Sequence, residues 1–342
     1  MTRDNILFDF QWAVHGDTPA DIAAVDAVSL EWGWDSAPVM RVRVANPNGR
    51  RSNFFESGDQ WIFKAGRGAV DDNSTLFVGT QMAGLGPEYD EESLTLTLHG
   101  YTARLRELVI PTDANTYAGY EAMSAIKDNY DADGTMDTGG LVGPTTSVSV
   151  PRGLFGRGAG ASDRLAIAQK ILGLAYDHGD ADRPLKMHIV EKPNGETATV
   201  TQVAEIDPTD TAPAADAALV SGTDFFRVRR QYDGERFNAA KFTGAGGVGE
   251  IYYEMDGPKI FSGSLYADYE AARSAAQAAR MPRYTYELDL PALHFDLTPG
   301  AVVQVSGTVG PADGYHQVAE VRHRFESSSY GTTIRLARRP VV

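Results

Sequence analysis

The sequence predicts a mainly β protein with α-helical insertions, an α+β fold class, and three observations lead to this prediction. Apolar and polar residues alternate along several short segments in the first third of the chain. The same alternation returns in the last third, most clearly from Tyr284 to Leu290. Between these parts, apolar residues recur at helical spacing. Alternation with a period of two predicts half-buried strands, whereas a period near 3.6 predicts helices.

Residues 1–110 contain three clear alternating segments. The first runs from Ile6 to Val14, the second from Met40 to Val44 and the third from Leu94 to Leu98. Turn-forming clusters separate them, among them the acidic run from Glu88 to Glu92. Several short strands joined by regular turns predict an antiparallel barrel or a sandwich.

Residues 111–220 follow a different pattern. A helical stripe is formed by Tyr120, Met123, Ile126 and Tyr130, and a second helix is predicted from Ser162 to Tyr176. The rest predicts a hairpin and a linker: strands over 185–191 and 197–206 around Pro193-Asn194-Gly195, then a Pro-, Asp- and Ala-rich segment over 207–220.

Residues 221–342 return to strands. An Ala-rich helix is predicted over 266–279, before the alternating strand that starts at Tyr284. Further strands are predicted at 301–307, 315–326 and 331–338. The predicted domains are therefore 1–110, an insertion at 111–220, and 221–342.

Charge and cysteine content limit the function classes. The chain has 342 residues with 46 acidic and 31 basic side chains, a net charge of −15, so a free surface should repel nucleic acid. Its Asp-rich, Lys-poor composition is typical of either a salt-loving host or a high-GC genome. With no cysteine, disulfides, thiolate metal sites and cysteine nucleophiles are excluded.

No motif predicts catalysis. The glycine-rich segment 153–160 lacks the Gly-Lys-Ser/Thr ending of a phosphate loop. No His-Glu-x-x-His pattern occurs, and His316 and His323, seven apart in a strand, should lie on opposite faces unless a bulge intervenes. The N-terminus has no signal-peptide pattern, and no segment approaches the ~20 apolar residues of a membrane span. We therefore expect no enzymatic activity, cofactor, metal or membrane span.

Trp32 and Trp34 lie at strand spacing on one predicted face. Core packing is the ordinary interpretation of such a pair. If exposed, the pair would instead bind a partner or a sugar.

Three parts of the sequence together resemble the tail-hub family. The first is the segment from Leu94 to Glu107, a strand ending in a short glycine turn, followed by the helical segment from Thr116 to Tyr130. The second is the strand-like segment from Phe225 to Ala239. The third is a Pro-Gly turn into a strand from Leu297 to Gly307, followed by the segment from Gly314 to Arg338. This order is similar to that of phage baseplate hubs and of the hub portion of type VI secretion spike proteins.

The resemblance implies two tube-type antiparallel β-barrels around a small helix-and-hairpin insertion domain. It implies a homotrimer at the tip of a virion tail, made in the host cytoplasm, that closes the tail tube. Its partners would be a tail tube or distal tail protein, a spike or fibre, and passing DNA that is not bound specifically. Residues facing the tube lumen would include Thr285, Glu287 and Asp289.

Three other functions stay open at the level of the sequence. A hexameric distal tail protein would carry one barrel per chain. A glycan-binding β-sandwich would use Trp32 or Trp34 as a receptor-binding surface. A hydrolase would assemble a carboxylate pair through its fold.

Overall fold

The fold is described by a computed structural model. Of the 342 residues it describes 6–13, 20–21, 25–33, 37–50, 60–67, 75–80, 88–90, 92–130, 149–156, 158–172, 186–191, 198–203, 215–232, 237–244, 246–252, 259–266, 269, 272–273, 276, 284–291, 294, 297–309, 312–326 and 329–338.

The first third folds into strands, as its alternation predicts. A single turn of 3-10 helix at Pro47–Gly49 follows the fourth strand. The strands are β1 Ile6–Ala13, β2 Ala20–Asp21, β3 Val25–Gly33, β4 Val39–Ala45, β5 Gln60–Arg67, β6 Thr75–Thr80, β7 Glu88–Tyr89 and β8 Ser93–Gly100.

The middle third contains both α-helices that are described from end to end. The elements are β9 Val109–Thr112, α1 Ala122–Tyr130, β10 Gly160–Asp163, α2 Arg164–Leu172, β11 Lys186–Glu191 and β12 Ala198–Val203, after a 3-10 helix at Tyr101–Arg106. Glu121 caps α1 by accepting the Ser124 N–H at 2.8 Å, and Asp163 caps α2 by accepting the Ala166 N–H at 2.8 Å. β11 and β12 pair as the predicted hairpin.

The last third returns to strands. They are β13 Ala217–Val220, β14 Val228–Tyr232, β15 Ala239–Gly244, β16 Gly247–Tyr252, β17 Phe261–Tyr266, β18 Tyr284–Leu290, β19 Val302–Ser306, β20 Gly314–Glu326 and β21 Ser329–Arg338. The Ala-rich helix starts later than predicted, because Tyr266 ends β17. Its described residues Tyr269, Ala272, Arg273 and Ala276 are helical.

One sheet joins the first and last thirds of the chain. Its order along the described strands is β14-β18-β21-β20-β3-β4-β8-β6-β5-β1-β2, with β7, β13 and β19 paired to its side. The two thirds meet where β20 pairs antiparallel with β3, with Arg322 opposite Glu31. The core is continuous across this junction, since the rings of Phe63 and Phe325 pack edge-on at 5.0 Å.

The same strand order occurs twice in this sheet. Read in one direction, the four strands β14-β18-β21-β20 of the last third stand in the order first, second, fourth and third when numbered among themselves along the chain. The next four strands, β3-β4-β8-β6, repeat this first-second-fourth-third order before the path continues to β5, β1 and β2. We call β14-β18-β21-β20 the first unit and β3-β4-β8-β6 the second unit. All neighbours along this path are antiparallel, so equivalent strands of the two units also run in the same direction. The two units are therefore arranged head to tail.

The pleat of this sheet separates an apolar from a polar surface, because successive side chains point to opposite sides. The apolar side is the main core, which contains Val28, Leu30, Trp32, Met40, Val42, Val44, Leu94, Leu96, Leu98, Tyr286, Leu288, Leu290, Val321, Phe325, Ile334 and Leu336 among others. Burial of this size is the main term that stabilises a fold.

Two smaller cores lie apart from the main one. Helices α1 and α2 bury Ile126, Ile167 and Ile171 in a cluster that belongs to the middle third. The three-stranded sheet β16-β15-β17 buries Ala240 and Ile251, among others, against the Ala-rich helix. The insertion predicted at 111–220 and the Ala-rich helix thus each contribute to a local apolar cluster.

Several sequence predictions need correction or stay open. Within the described residues no sheet closes on itself, so two closed barrels remain a prediction. The linker predicted over 207–220 is wrong for residues 217–220, which form β13 and pair in parallel with β19. Residues 207–214 lie outside the described residues.

Candidate assembly surface

The polar side of the main sheet is the candidate functional surface. This polar face consists of the outward side chains of β14, β18, β21, β20, β3 and β4. It carries six arginines and five carboxylates: Arg41, Arg43, Arg229, Arg322, Arg324 and Arg335, and Glu31, Glu287, Asp289, Glu320 and Glu326. The balance is close to neutral although the whole chain carries −15. The acidic excess therefore lies elsewhere in the chain.

Ion pairs connect neighbouring strands across the polar face. On β14, Arg229 pairs with Glu287 of β18 and also reaches Asp289 at 3.1 Å. Farther along, Arg335 of β21 contacts Glu320 of β20 at 3.0 Å. These pairs are partly exposed, so each contributes at most about 1 kcal/mol to stability. Their main consequence is to fix which side chains face outward.

The junction of the two units carries its own pair. Arg322 of β20 donates to Glu31 of β3 through Nε at 3.0 Å and contacts the same carboxylate through Nη2 at 2.9 Å. Arg322 also contacts Glu320 at 3.1 Å on its own strand. The polar face is thus continuous across the boundary between the two units.

A histidine continues this surface on β8. His99 is half-buried and lies opposite Val39 of β4. Burial lowers the pKa of His99, and the positive charges of Arg106 and Arg41 lower it further. His99 therefore stays neutral at pH 7 and adds no charge to the arginines beside it.

The predicted lumen residues lie on this surface in part. Glu287 and Asp289 are on the polar face, where Asp289 also accepts a hydrogen bond from Thr333 at 3.2 Å. Thr285 belongs to β18 opposite Gln231, but its side chain lies outside what the structure describes. Whether the face lines a tube lumen stays a prediction.

The predicted aromatic pair is only half described. Trp32 is 8% exposed and packs edge-on against His323 at 5.6 Å, so its burial supports the core-packing interpretation rather than a partner-facing one. Trp34 lies outside the described residues.

The histidine prediction is resolved by a bulge. The register of β20 against β21 shifts between Val318 and Glu320. Because of this extra residue, His316 and His323 are both buried. His316 donates through Nε2 to the Ala312 carbonyl at 2.7 Å, and Nδ1 of His323 lies 3.0 Å from Thr332 Oγ1. Both histidines are therefore buried and hydrogen-bonded within the fold.

Sequence reasoning missed the arginines of the polar face. Their signal was present, since Arg41 and Arg43, and likewise Arg322 and Arg324, alternate with apolar residues in their strands. Alternation shows that such residues share a face, but not which carboxylates they meet. Those partners come from strands far away in sequence.

A search of the described residues finds no group of three or more His, Cys, Asp or Glu side chains placed to hold a metal ion. None of the described helices is long and apolar enough to span a membrane.

This chain is similar to known proteins in its structure, but no sequence match is found. No family model matches the sequence, and no curated protein matches it either. Among solved structures, the tail protein from Neisseria meningitidis MC58 is 13% identical, with a TM-score of 0.62 over 97% of this chain and 96% of that one.

Two further structures agree. The 43 kDa tail protein of prophage MuSo2 from Shewanella oneidensis is 11% identical, with a TM-score of 0.61 over 96% of this chain and 98% of that one. The fold is that of phage tail proteins. The Escherichia coli c3393 protein, a type VI secretion component with structural similarity to the T4 bacteriophage tail proteins gp27 and gp5, is 10% identical, with a TM-score of 0.54 over 96% of this chain and 79% of that one.

These similarities confirm the predicted resemblance at the level of the fold. The tail-protein fold accounts for nearly the whole chain, including the middle third, since the matches cover 96% or more of it.

Proposed function

We propose that this chain is a structural virion protein, the trimeric hub that closes the distal end of a phage tail tube and joins it to a spike or fibre. It would act at the tail tip after synthesis in the host cytoplasm. Its partners would be two further copies of itself, a tail tube or distal tail protein, and the spike or fibre. In this role the chain needs no catalytic group.

The repeated strand order carries this proposal. Two units that follow each other head to tail generate a ring when further copies continue the same step. Three chains with two units each give six units, which matches a six-fold tail tube. A six-unit ring also covers the strand edges that a single chain leaves at its two ends.

The polar face supplies a suitable lumen wall in this ring. Its near balance of six arginines and five carboxylates, with Arg229, Arg322 and Arg335 in ion pairs, leaves little net charge to hold a passing phosphate backbone. DNA would therefore pass without specific binding. The lack of specific binding would rest on this charge neutralisation.

The hexameric distal tail protein is the main alternative within the tail class. It would have one barrel per chain, whereas the repeated order of strands supports two units per chain. The glycan-binding alternative relied on exposed tryptophans, and Trp32 is buried.

Oligomeric state and shape test the proposal. Mass photometry of the purified chain should detect a trimer of the 36.9 kDa protomer. Class averages from electron microscopy should show a three-fold ring with a central hole and six similar units. A six-fold ring with one unit per chain would overturn the hub and leave the distal tail function. A chain that stays monomeric at all concentrations would overturn both.

A further inference from the structure

The sheet β16-β15-β17 exposes an unusual group of side chains. Of the thirteen large exposed apolar side chains among the described residues, six belong to the segment 248–269. Tyr252, Phe261 and Leu265 are among these six, and Phe261 is next to β15 through its pairing with Ala239. An apolar group of this kind on a sheet surface is typical of an interaction site.

Two lysines stand among these aromatic rings. Lys259 Nζ lies 4.9 Å from the ring centre of Tyr252 and 5.1 Å from that of Phe261. Lys241 Nζ lies 5.0 Å from the same Phe261 ring. Lysine is rare in this chain, with seven residues in 342. We call Lys241, Tyr252, Lys259, Phe261 and Leu265 the lysine–aromatic face.

The charge of this face indicates which kind of partner surface would bind to it. Lys259 also pairs with Glu250, which neutralises one of the two lysine charges. The charge of Lys241 remains, so the face as a whole is positive. The chain as a whole is strongly acidic, with a net charge of −15. A partner rich in carboxylates, with an aromatic or apolar side chain to cover the rings, would complement this face.

The chain itself offers such a surface in the acidic turn, residues 88–92. Glu88, Asp90 and Glu92 are exposed there, and Tyr89 is 63% exposed. The turn is held in place, since Asp90 Oδ1 accepts the N–H of Ser93 at 2.5 Å and that of Glu92 at 2.8 Å. The buried Asn46 side chain donates to the Asp90 carbonyl at 2.9 Å.

The acidic turn adjoins one end of the repeated units, and the lysine–aromatic face follows, along the chain, the strand at their other end. The acidic turn includes β7, which pairs with β8 on the edge that β6 also occupies. The path of strands continues from β6 to β5, β1 and β2, but among the described residues β7 pairs with β8 alone, so β7 is a free edge of the second unit. The lysine–aromatic face follows β14, which begins the first unit, after six residues. A head-to-tail step from one copy to the next brings the end of one second unit beside the start of another first unit.

We propose that the lysine–aromatic face of one copy receives the acidic turn of the next copy. This inference rests on the trimeric ring proposed above and names the contact that closes it. A cyclic trimer requires such a contact between two different surfaces, because each copy presents one surface forward and the other backward.

Charge reversal tests the contact in the full chain. The variant Lys241→Glu/Lys259→Glu should raise the dissociation constant of the trimer at least about tenfold, since like charges would then face each other. The matched control is Lys127→Glu/Lys170→Glu, which makes the same charge change on α1 and α2 and should leave the trimer intact. Circular dichroism establishes that both variants are folded.

A compensating change identifies the partner surface. Adding Glu88→Lys/Glu92→Lys to the face variant in one chain should restore the trimer. Mixing the face variant with a separate turn variant should instead give dimers or tetramers, because unlike chains must alternate and a three-membered ring cannot alternate.

The outcomes separate this inference from the function. A wild-type chain that never trimerises overturns the proposed hub. A trimer that the face variant leaves unchanged overturns the contact and leaves the hub standing. Dissociation without rescue by the turn change shows that the face binds something other than the acidic turn, and it also overturns the inference.

Discussion

Leu288 and Glu287 are neighbours in β18 with opposite environments. Leu288 is fully buried in the main core, whereas Glu287 is on the polar face beside Arg229. Replacing Leu288 with Asp places an unpaired charge in the core, a change that costs several kcal/mol. We expect Leu288→Asp to abolish folding, measured as loss of cooperative unfolding by circular dichroism.

Glu287→Gln is the control at the adjacent position. It removes one partly exposed ion pair and keeps the side chain's size, so the free energy of unfolding should change by less than about 1 kcal/mol. If Leu288→Asp and Glu287→Gln have the same free energy of unfolding, the assignment of the two faces of β18 is wrong.

His323 predicts a pH dependence. Burial, together with a smaller effect of the charge of the nearby His294, lowers the pKa of His323 from its ordinary value of 6.5 to about 3. The unfolded chain binds a proton at this side chain near pH 6.5, whereas the folded chain does so only near pH 3. Stability from this group is therefore complete above about pH 6.5, declines as the pH falls, and levels off below about pH 3.

His323→Gln isolates this contribution. Glutamine can still bond Thr332 but does not titrate, so the variant should lose less stability than the wild type between pH 6.5 and pH 4. The expected difference is at most about 1.4 kcal/mol per pH unit. Urea unfolding at several pH values measures it, and parallel curves for the two proteins would contradict the burial of a neutral His323.

At the scale of elements, the lack of a side chain at Gly79 allows β6 to lie close to β8. A Cβ atom at this position would lie 2.3 Å from the His99 carbonyl oxygen and 2.5 Å from the Phe77 ring. Pairing between these strands consists of Gly79 with Gly100 and Thr80 with His99. Gly79→Ala should therefore push β6 away from β8 and destabilise the protein by about 1–3 kcal/mol.

Gly263→Ala is the matched control for this prediction. Gly263 is also a strand glycine, in β17, but a Cβ atom there meets no other atom within 4 Å. Its substitution should change stability by no more than about 0.5 kcal/mol. Urea unfolding at one protein concentration compares the two variants, and equal stabilities would show that β6 does not approach β8 this closely.

At the scale of the whole molecule, the ring predicts which strands of neighbouring copies are close. The free edge of the second unit, β7, should lie beside β14 of the next copy. Because the chain has no cysteine, a pair introduced by Glu88→Cys and Arg229→Cys gives a clean cross-linking background. A short bis-maleimide should then link chains into dimers and trimers on denaturing gels.

The control pair is Arg43→Cys with Arg229→Cys. Both positions are on the polar face, but β4 and β14 are separated by four strands of the sheet. This pair should leave the chains unlinked. Equal cross-linking by both pairs, or none by the first, would contradict a ring built by continuing the head-to-tail step.

The sequence by itself determined the local structure of this protein. Alternating residues such as Tyr286, Leu288 and Leu290 predicted a strand with one buried side, and the structure confirms it. The hairpin of β11 and β12 was equally readable, because its turn residues act locally. The mainly β class and the tail-protein resemblance followed from the order of these elements.

Only the tertiary structure decided which strands meet. The pairing of β20 with β3 joins residues about 290 positions apart, and no local pattern encodes such a partner. The pairing of Arg322 with Glu31, the bulge that buries both His316 and His323, and the strand β13 inside a predicted linker all depend on distant neighbours. Burial likewise decided between core and surface for Trp32, since alternation gives two faces but does not say which one the rest of the chain covers.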